Sequence, residues 1–574
     1  MGYPLLPLDC LLEIFEKITD DNKSLYSCLL VNRIWCQAAM PILWEKPLHD
    51  SISFKFNQVQ WKSLSRTIFH CIPNENLEYL RKTNSLLLKD QLNDSSNKLM
   101  FNYIEFIQYL SVESIHKLIT HLLFDPTPYT NDLPPKFSYT YHETLLEKEL
   151  WKIFLKHSVT LKRMEHPSFP IFIYPNALTR LGFLIHLECS PMELGTLMFE
   201  DLSSSCQNLE RLSLNYSNGV IESVGSGINE SVSKFISMQN GLKEVEFYCP
   251  NFNHQNLEGN DGGGINNQNL REFKKEFNKF IGKSLLKHKN TLKSIIFKEN
   301  VYIFSNILNQ LTNVKKFEFK SILGNYPPNH RVGFHNETSV RGLNYLENVK
   351  WSNLECLIVC GINVETEFET FVKLIQGTSD SFTTLTVTET IIEENESESQ
   401  ELGQDRTQVE SQQQQTRQGV NGLLRQVNIE TDSTMPNPEC IKSYYQSLIR
   451  FGPSLEVVTI WYLDEYKDDF ENLIKSSPRL KEITLLIHND DVPGNNNGDA
   501  ILTFIFNTLS SYAGSNLSTI KFGEGWNISV KVLCEFLQRW RERKSLFIYY
   551  HMEIDITVQH LQVFENFKNI GVLK

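Results

Sequence analysis

"LEVVTIWYLDEYKDDFENLIKSSPRLKEITL", residues 455–485, contains one short apolar pattern twice, with a helical pattern between the two copies. Each copy, "LEVVTI" from Leu455 and "LKEITL" from Leu480, has apolar residues at its first, fourth and sixth positions. The last three positions alternate apolar, polar and apolar, which is the period of a β-strand. Residues 467–479 between the copies have one apolar helical face and reach Pro478, a residue that ends helices. The stretch therefore predicts a strand, a helix and a second strand.

The same hexamer recurs from about Leu161 onward. A strand followed by a helix cannot bury its apolar face alone, so successive units must stack on one another. The recurrence, in phase with helical segments, predicts an α/β solenoid. The alternative, a doubly wound α/β sheet, requires a phosphate-binding glycine turn after an early strand, which we do not find. Besides the two quoted copies, hexamers begin at Leu161, Leu178, Leu209, Leu242, Leu292, Val314, Leu354, Phe382, Leu424 and Leu517.

This recurring pattern resembles the leucine-rich repeat, in the long and irregular form that often accompanies an F-box. It departs from the family pattern because the Asn or Cys expected shortly after the last apolar position is mostly absent. The resemblance implies a curved solenoid with parallel strands on the concave face and helices on the convex face.

A second distinctive stretch, "LPLDCLLEIFEKI", lies at residues 6–18. Its apolar residues cover more than one face of a helix. Two further helical stretches follow, "SLYSCLLVNRIW" and "IWCQAAMPILW". Three short helices make a core too small to bury every face of the first helix. The remaining apolar surface is therefore expected to dock onto another protein.

Leu6-Pro7, Asp9, Leu11-Leu12, Ile14-Phe15, Ile18 and "VNRIW" at residues 31–35 resemble the F-box motif in this order. The resemblance implies a three-helix module that docks onto the Skp-family adaptor of an SCF (Skp–cullin–F-box) ubiquitin ligase. Asp9 stands where Glu is commoner. The alternative is a helical cap without a partner. Carried over to this chain, the adaptor-binding residues would be Leu6, Pro7, Leu11, Ile14 and Phe15.

These patterns divide the chain into three regions. Residues 1–47 are assigned to the F-box, 48–160 to a mainly helical linker and 161–574 to an irregular leucine-rich-repeat solenoid. Two insertions, near 251–269 and 393–420, are rich in polar residues and Gly or Gln, and we expect both to be disordered.

Composition argues against several classes of function. The net charge of −13 makes nucleic-acid binding a poor expectation. The 11 cysteines include no Cys-x-x-Cys pair, so we expect no metal site and reduced thiols. No apolar run approaches the ~18 residues of a membrane span, and no signal-peptide pattern occurs. We therefore expect a cytoplasmic or nuclear protein without a membrane partner or a cofactor.

The sequence also lacks the common catalytic motifs of hydrolases, metalloproteases and kinases. We therefore expect no catalytic residues and no enzymatic activity of its own. The expected function is that of a substrate-recognition subunit of an SCF-type ligase, linked through its adaptor to a cullin–RING ligase, with an unknown protein target. The alternative is a leucine-rich-repeat scaffold or ligand-sensing protein outside any ligase.

A candidate target surface follows from the alternation within the strands. Side chains that alternate with the buried apolar positions are mostly polar, but Val457, Trp461 and Leu486 are apolar. Trp461 and Leu486 occupy equivalent positions, so neighbouring strands should place them side by side. With Lys521 on the next strand, they are the predicted target-binding residues. The alternative is that a helix end or the segment "SLFIYYHM" covers them.

Overall fold

A computed structural model of the protein describes much of the predicted F-box region and of the predicted solenoid. The predicted insertions near 251–269 and 393–420 lie outside the described residues. The described residues are 6–19, 21–45, 47, 58–73, 75, 78, 99–123, 141–167, 169–216, 227–249, 272–273, 275–298, 305–320, 349, 353–362, 368–369, 372–373, 375–376, 383–389, 424–430, 436–487, 498–523, 525–550 and 557–574.

The chain divides into two compact units, Met1–Glu246 and Phe247–Lys574. The boundary between the two units falls within the last strand of the first, Glu244–Tyr248. Among the described residues, the first unit begins with four helices, which are followed by alternating strands and helices. Its elements are α1 Leu8–Phe15, α2 Asn22–Leu29, α3 Arg33–Leu43, α4 Gln58–His70, β1 Tyr109–Leu110, α5 Val112–Leu123, α6 Tyr141–His157, β2 Arg163–Glu165, α7 Ala177–Leu181, β3 His186–Cys189, α8 Pro191–Ser205, β4 Arg211–Asn215, α9 Ile228–Ser237 and β5 Glu244–Tyr248.

The second unit continues the alternation of strands and helices. Its elements are α10 Lys283–Leu286, β6 Ser294–Lys298, α11 Ser305–Leu308, β7 Lys316–Lys320, β8 Cys356–Ile362, β9 Thr384–Glu389, β10 Gln426–Glu430, α12 Pro438–Phe451, β11 Val457–Trp461, α13 Lys467–Ser476, β12 Glu482–Leu486, α14 Gly498–Tyr512, β13 Thr519–Phe522, α15 Val530–Trp540, β14 Phe547–Tyr550 and α16 Val558–Asn569.

Within each unit, the strands lie side by side in chain order. The pairings from β6 to β14 are all parallel, as are those from β1 to β4. Parallel neighbours require a crossover on every step, which the intervening segments supply. This arrangement confirms the predicted α/β class with a repeat-like parallel sheet.

The hexamer positions have constant roles in the strands. Leu455, Val458 and Ile460 are fully buried, as the apolar positions of the hexamer require. The carbonyl of the second position accepts two consecutive amides of the next repeat; Lys481, for example, accepts from Ser518 at 2.9 Å and Thr519 at 3.1 Å. Where it forms, this shared contact sets a strand in register with the one before it.

One predicted copy of the hexamer is wrong. "LTRLGF" from Leu178 does not form a strand, because its first residues lie in helix α7. The strand of this repeat, β3, comes from "LIHLEC", which begins at Leu184. Apolar residues three positions apart also fit one face of a helix, so the hexamer spacing alone does not distinguish the two structures.

The sheet also begins earlier and ends later than the hexamers indicate. Strand β1 lies in the region that was assigned to the mainly helical linker, and α5 begins after it, at Val112. Strand β14 comes from "SLFIYY", a segment that the repeat pattern had not included. The helix predicted at 467–479 is confirmed as α13.

An asparagine ladder precedes several strands and had not been predicted. The side-chain amide of Asn240 donates to the side-chain oxygen of Asn208 in the preceding repeat, at 3.2 Å. Asn313 and Asn353 likewise donate to backbone carbonyls of the preceding repeats, at 3.2 Å and 2.7 Å. These side chains satisfy carbonyls in the turns before the strands, where the regular sheet ladder has not yet begun.

Candidate interaction surfaces

The first three helices pack around one small core. Helix α3 begins at Asn32, whose side chain accepts a 3.0 Å hydrogen bond from the Trp35 amide. This cap turns Trp35 inward, and its ring meets Phe15 of α1 edge to face at 5.4 Å. The buried residues of this core are Leu11, Phe15, Leu25, Cys28, Ala38 and Ala39.

The structure separates the five predicted adaptor-binding residues into two groups. Leu6, Pro7 and Ile14 are exposed, as a docking role requires. Leu11 and Phe15 are each only 1% exposed. The expectation that these two face a partner is wrong, since the core of the three helices encloses them.

Other apolar side chains of the same module are exposed and had not been predicted as contacts. Six of the twenty large apolar side chains that are exposed in the described residues lie between Leu6 and Val31. For Leu30 and Val31 the signal was the run "LLV" before the Asn32 cap, which continues apolar character beyond the end of α2. Besides the predicted Leu6 and Ile14, the six include Leu8, Tyr26, Leu30 and Val31.

Backbone hydrogen bonds attach this module to the first strands. The amide of Gln108 donates to the carbonyl of Glu45, two residues after α3 ends, at 2.9 Å. The carbonyl of Gln108 accepts from the amides of Lys162 and Arg163, both at 2.9 Å. One residue thus connects the end of the three-helix module to the register of β2.

Aromatic contacts reinforce the attachment. The ring of Trp44 lies 4.3 Å from that of Tyr103, in the short 3-10 turn before β1. Trp61 of α4 is buried and stacks in parallel on His121 of α5, with ring centroids 5.7 Å apart. Burial and the nearby Lys117 lower the pKa of His121. A neutral imidazole is therefore favoured in this stack.

At the predicted target surface, the strand register is as expected but the exposure is not. Trp461 and Leu486 are direct partners in the β11–β12 pairing. Trp461, however, is only 2% exposed. The expectation of an exposed tryptophan is therefore wrong, and Trp461 cannot contact a target while this packing persists.

The sheet is interrupted beside Trp461, and aromatic rings cover its side chain. Pairing of β10 with β11 ends at Val458. The Thr459 hydroxyl then accepts the amide of Ile429 at 3.2 Å, in place of a backbone carbonyl. Beyond this point the Trp461 ring packs edge to face against Phe368, at 5.0 Å, and Tyr444, at 6.3 Å.

The other predicted target residues remain partly accessible. Val457 and Leu486 are half-buried. Lys521 forms a 2.5 Å ion pair with Glu482 and lies 5.8 Å from the ring centroid of Tyr549, a ring that is 52% exposed. A role for Val457, Leu486 and Lys521 in binding a target stays a prediction.

Two thiols of the first unit, Cys189 and Cys206, are buried. Burial raises the pKa of Cys206 to about 12 and that of Cys189 further, which makes both poor nucleophiles. Among the described residues, no group of three or more potential ligands is placed to hold a metal ion. In the same part of the chain, no helix is both long and apolar enough to cross a membrane.

Comparisons with known proteins give a limited result. No protein-family model matches the chain, and no curated protein matches it. Among solved structures, the chain is similar to one in the crystal structure of the Rad7 and Elc1 complex in yeast. That similarity covers 97% of both chains, with 11% identity and a TM-score of 0.28. A similarity this distant supports no inference, so the fold rests on the strand pairing and the function on the surfaces described above.

Proposed function

We propose that the protein is a substrate-recognition subunit of an SCF-type ubiquitin ligase. In this role the module of α1, α2 and α3 is an F-box that binds a Skp-family adaptor, and through it a cullin–RING ligase. The repeat strands bind a protein target, and the chain itself carries out no chemistry.

The observation that carries this proposal is the exposed apolar surface of the three-helix module. Its core is complete without Leu6, Ile14 or Leu30, and Leu30 is 80% exposed. Several exposed large apolar side chains on one small module are costly to keep in water and are typical of a docking surface. Together with the order of the F-box-like motif, they favour an adaptor as the occupant.

The attachment of the module to the strands supports the same role. Ubiquitin transfer depends on proximity, so a receptor must hold its target at a defined place relative to the ligase. A module on a flexible tether would position a target poorly. Here Gln108 bonds to Glu45 on one side and to Lys162 and Arg163 on the other, so the module and the first repeats are held together.

The test is co-purification of the full chain with a purified Skp-family adaptor. The informative variant replaces Leu6, Ile14 and Leu30 by Ala, because all three are exposed and none belongs to the core. Loss of the complex, with an unchanged circular dichroism spectrum, is expected. Each anchor should contribute ~1–3 kcal/mol to binding.

The matched control replaces exposed apolar residues elsewhere in the first unit, Ile173, Phe183 and Leu197, by Ala. This control should retain the complex. If the wild-type chain does not bind the adaptor, or if the variant binds as well as the wild type, the ligase role is wrong. A scaffold outside any ligase would then be the better description.

A further inference from the structure

Three basic side chains stand in line on neighbouring strands of the first unit. In the parallel pairing, Arg163 of β2 is the direct partner of His186 of β3, and His186 is the direct partner of Arg211 of β4. Neighbouring strands lie ~4.8 Å apart, so the three side chains form one short row across the sheet. We call these residues the basic row.

Arg163 lacks the partners that a half-buried cation usually has. Its guanidinium forms no hydrogen bond and no ion pair with the residues that the structure describes, although the side chain is partly buried. Withdrawing a charge from water without a partner is unfavourable. The guanidinium is therefore available to bind an anion, since arginine binds carboxylates in a bidentate geometry.

His186 lies between the two arginines and is also unsatisfied. Its Nε2 atom is buried and has no hydrogen-bond partner among the residues that the structure describes. Burial, and then the charges of Arg211 and Arg163, lower the pKa of His186 to about 4. The imidazole is therefore neutral at pH 7, and both flanking cations remain uncompensated by it.

Two further side chains lie beside the basic row, Glu244 and Tyr109. Arg211 forms a 2.6 Å ion pair with Glu244 of β5, but its side chain is 46% exposed and open to a competing anion. Tyr109 of β1 borders Arg163, its direct strand partner. Burial, together with Glu188 and Glu165, raises the pKa of Tyr109 to about 12, so it is neutral.

A row of opposite charge runs beside the first. Glu165 and Glu188 are direct strand partners, two residues further along β2 and β3, and so ~7 Å from the basic row. Glu165 accepts the amide of Val112 at 2.9 Å, which holds it in place. These carboxylates would repel a polyanion such as a nucleic acid while accepting a basic side chain.

We propose that Arg163, His186 and Arg211 bind an acidic side chain of an extended protein segment, and that Glu165 and Glu188 bind a basic side chain two residues away in the same segment. This inference rests on the proposed function, for which it names the chemistry of the target. On an extended segment, residues two apart point to the same side, which matches the separation of the two rows.

The test uses a synthetic peptide, acetyl-Gly-Ser-Glu-Gly-Lys-Gly-Ser-amide, and the full-length protein with 13C-labelled histidines. The His186 signal is assigned by its loss in a His186→Gln variant. The peptide should shift the His186 resonance and raise its titration midpoint, because a bound carboxylate offsets the charges of Arg163 and Arg211. A peptide with Gln in place of Glu should do neither.

Two double variants isolate the guanidinium groups. Arg163→Gln with Arg211→Gln should weaken peptide binding at least about tenfold, the loss expected for charge-assisted hydrogen bonds. Lys162→Gln with Lys243→Gln removes the same charge from exposed side chains of the same unit. This matched control should bind the peptide as the wild type does.

Three outcomes would overturn the proposal: no response of His186 to the Glu peptide, an equal response to the Gln peptide, or tighter binding of a short RNA oligonucleotide. The comparison of the two peptides on the wild-type chain needs no variant to fold. Adaptor binding is measured separately, so a failed peptide experiment with intact adaptor binding rejects this site alone.

Discussion

The rings of Trp461 and Phe368 meet edge to face, with centroids 5.0 Å apart and an interplanar angle of 77°. Tyr444 of α12 completes the contact, and the hydroxyl of Tyr445 donates a 3.0 Å hydrogen bond to the Trp461 carbonyl. Side chain and backbone of Trp461 are thus both engaged with the interior of the second unit. Its role is to hold β11 against α12.

The first prediction follows from this packing. Trp461→Ala should lower the free energy of unfolding of the second unit by about 3–5 kcal/mol, because it leaves a large cavity among aromatic rings. Urea unfolding followed by circular dichroism measures the loss. Tyr549→Ala, at a ring that is 52% exposed, is the control and should change stability by less than about 0.5 kcal/mol. Equal stability of the two variants would contradict the packing.

The alternation of side chains predicted much of the fold but not this site. The hexamers at Leu455 and Leu480 place β11 and β12 in the register that pairs Trp461 with Leu486. Alternation assigns Trp461 to the face opposite the core only if the strand stays regular. On the side of β10 it does not, since pairing ends at Val458 and the Thr459 hydroxyl accepts the Ile429 amide. A side chain that interrupts a sheet ladder leaves no periodic signal in the sequence.

The three-helix module shows a similar division. Motif order and apolar spacing predicted helices here and five residues facing a partner, of which Leu6, Pro7 and Ile14 are exposed. They could not show that Ile14 is exposed and Phe15 is buried. Both are adjacent apolar residues on a short helix, and only the packing against the other helices decides which one is buried. That choice depends on Trp35, whose position follows from the Asn32 cap.

The second prediction uses this adjacent pair. Phe15→Ala should unfold the three-helix module, since Phe15 is 1% exposed and supports Trp35. Ile14→Ala should leave the module folded and weaken adaptor binding, because Ile14 is 47% exposed. Hydrogen exchange of residues 8–43 reports folding, and adaptor titration reports binding. If Ile14→Ala also unfolds the module, the division between core and surface is wrong.

The third prediction concerns Glu318 of β7, a carboxylate that is 4% exposed. Lys316 and Lys320 bind it at 2.7 Å and 2.6 Å. Burial alone would raise the pKa of Glu318, but these two partners outweigh it and the pKa is lowered. The stabilisation is therefore complete above the unfolded value near 4.5 and is lost as pH falls through the folded pKa.

Glu318→Gln should accordingly cost about 1–2 kcal/mol at pH 7, a value reduced because both lysines are partly in water. The difference from the wild type should shrink as the pH falls below 4.5, the ordinary value for the group. Glu355→Gln is the control, since Glu355 and its partner Lys315 are both about half exposed. A Glu318 effect that is independent of pH would show that the lost contact is not ionic.

The fourth prediction concerns the start of the last helix, α16. His560 occupies the third helical position, where its Nδ1 accepts the Thr557 amide at 3.1 Å. Its Nε2 donates to the carbonyl of Ile528 at 2.7 Å, which ties the helix to the segment before α15. His560→Ala removes both bonds and should lower the local stability of α16 by about 1–2 kcal/mol.

Hydrogen exchange of residues 557–569 should be faster in this variant, whereas Leu561→Ala, at an exposed neighbour, should leave exchange unchanged. Equal exchange in the two variants would mean that α16 is held by its other contacts, such as buried Phe567, rather than by the histidine.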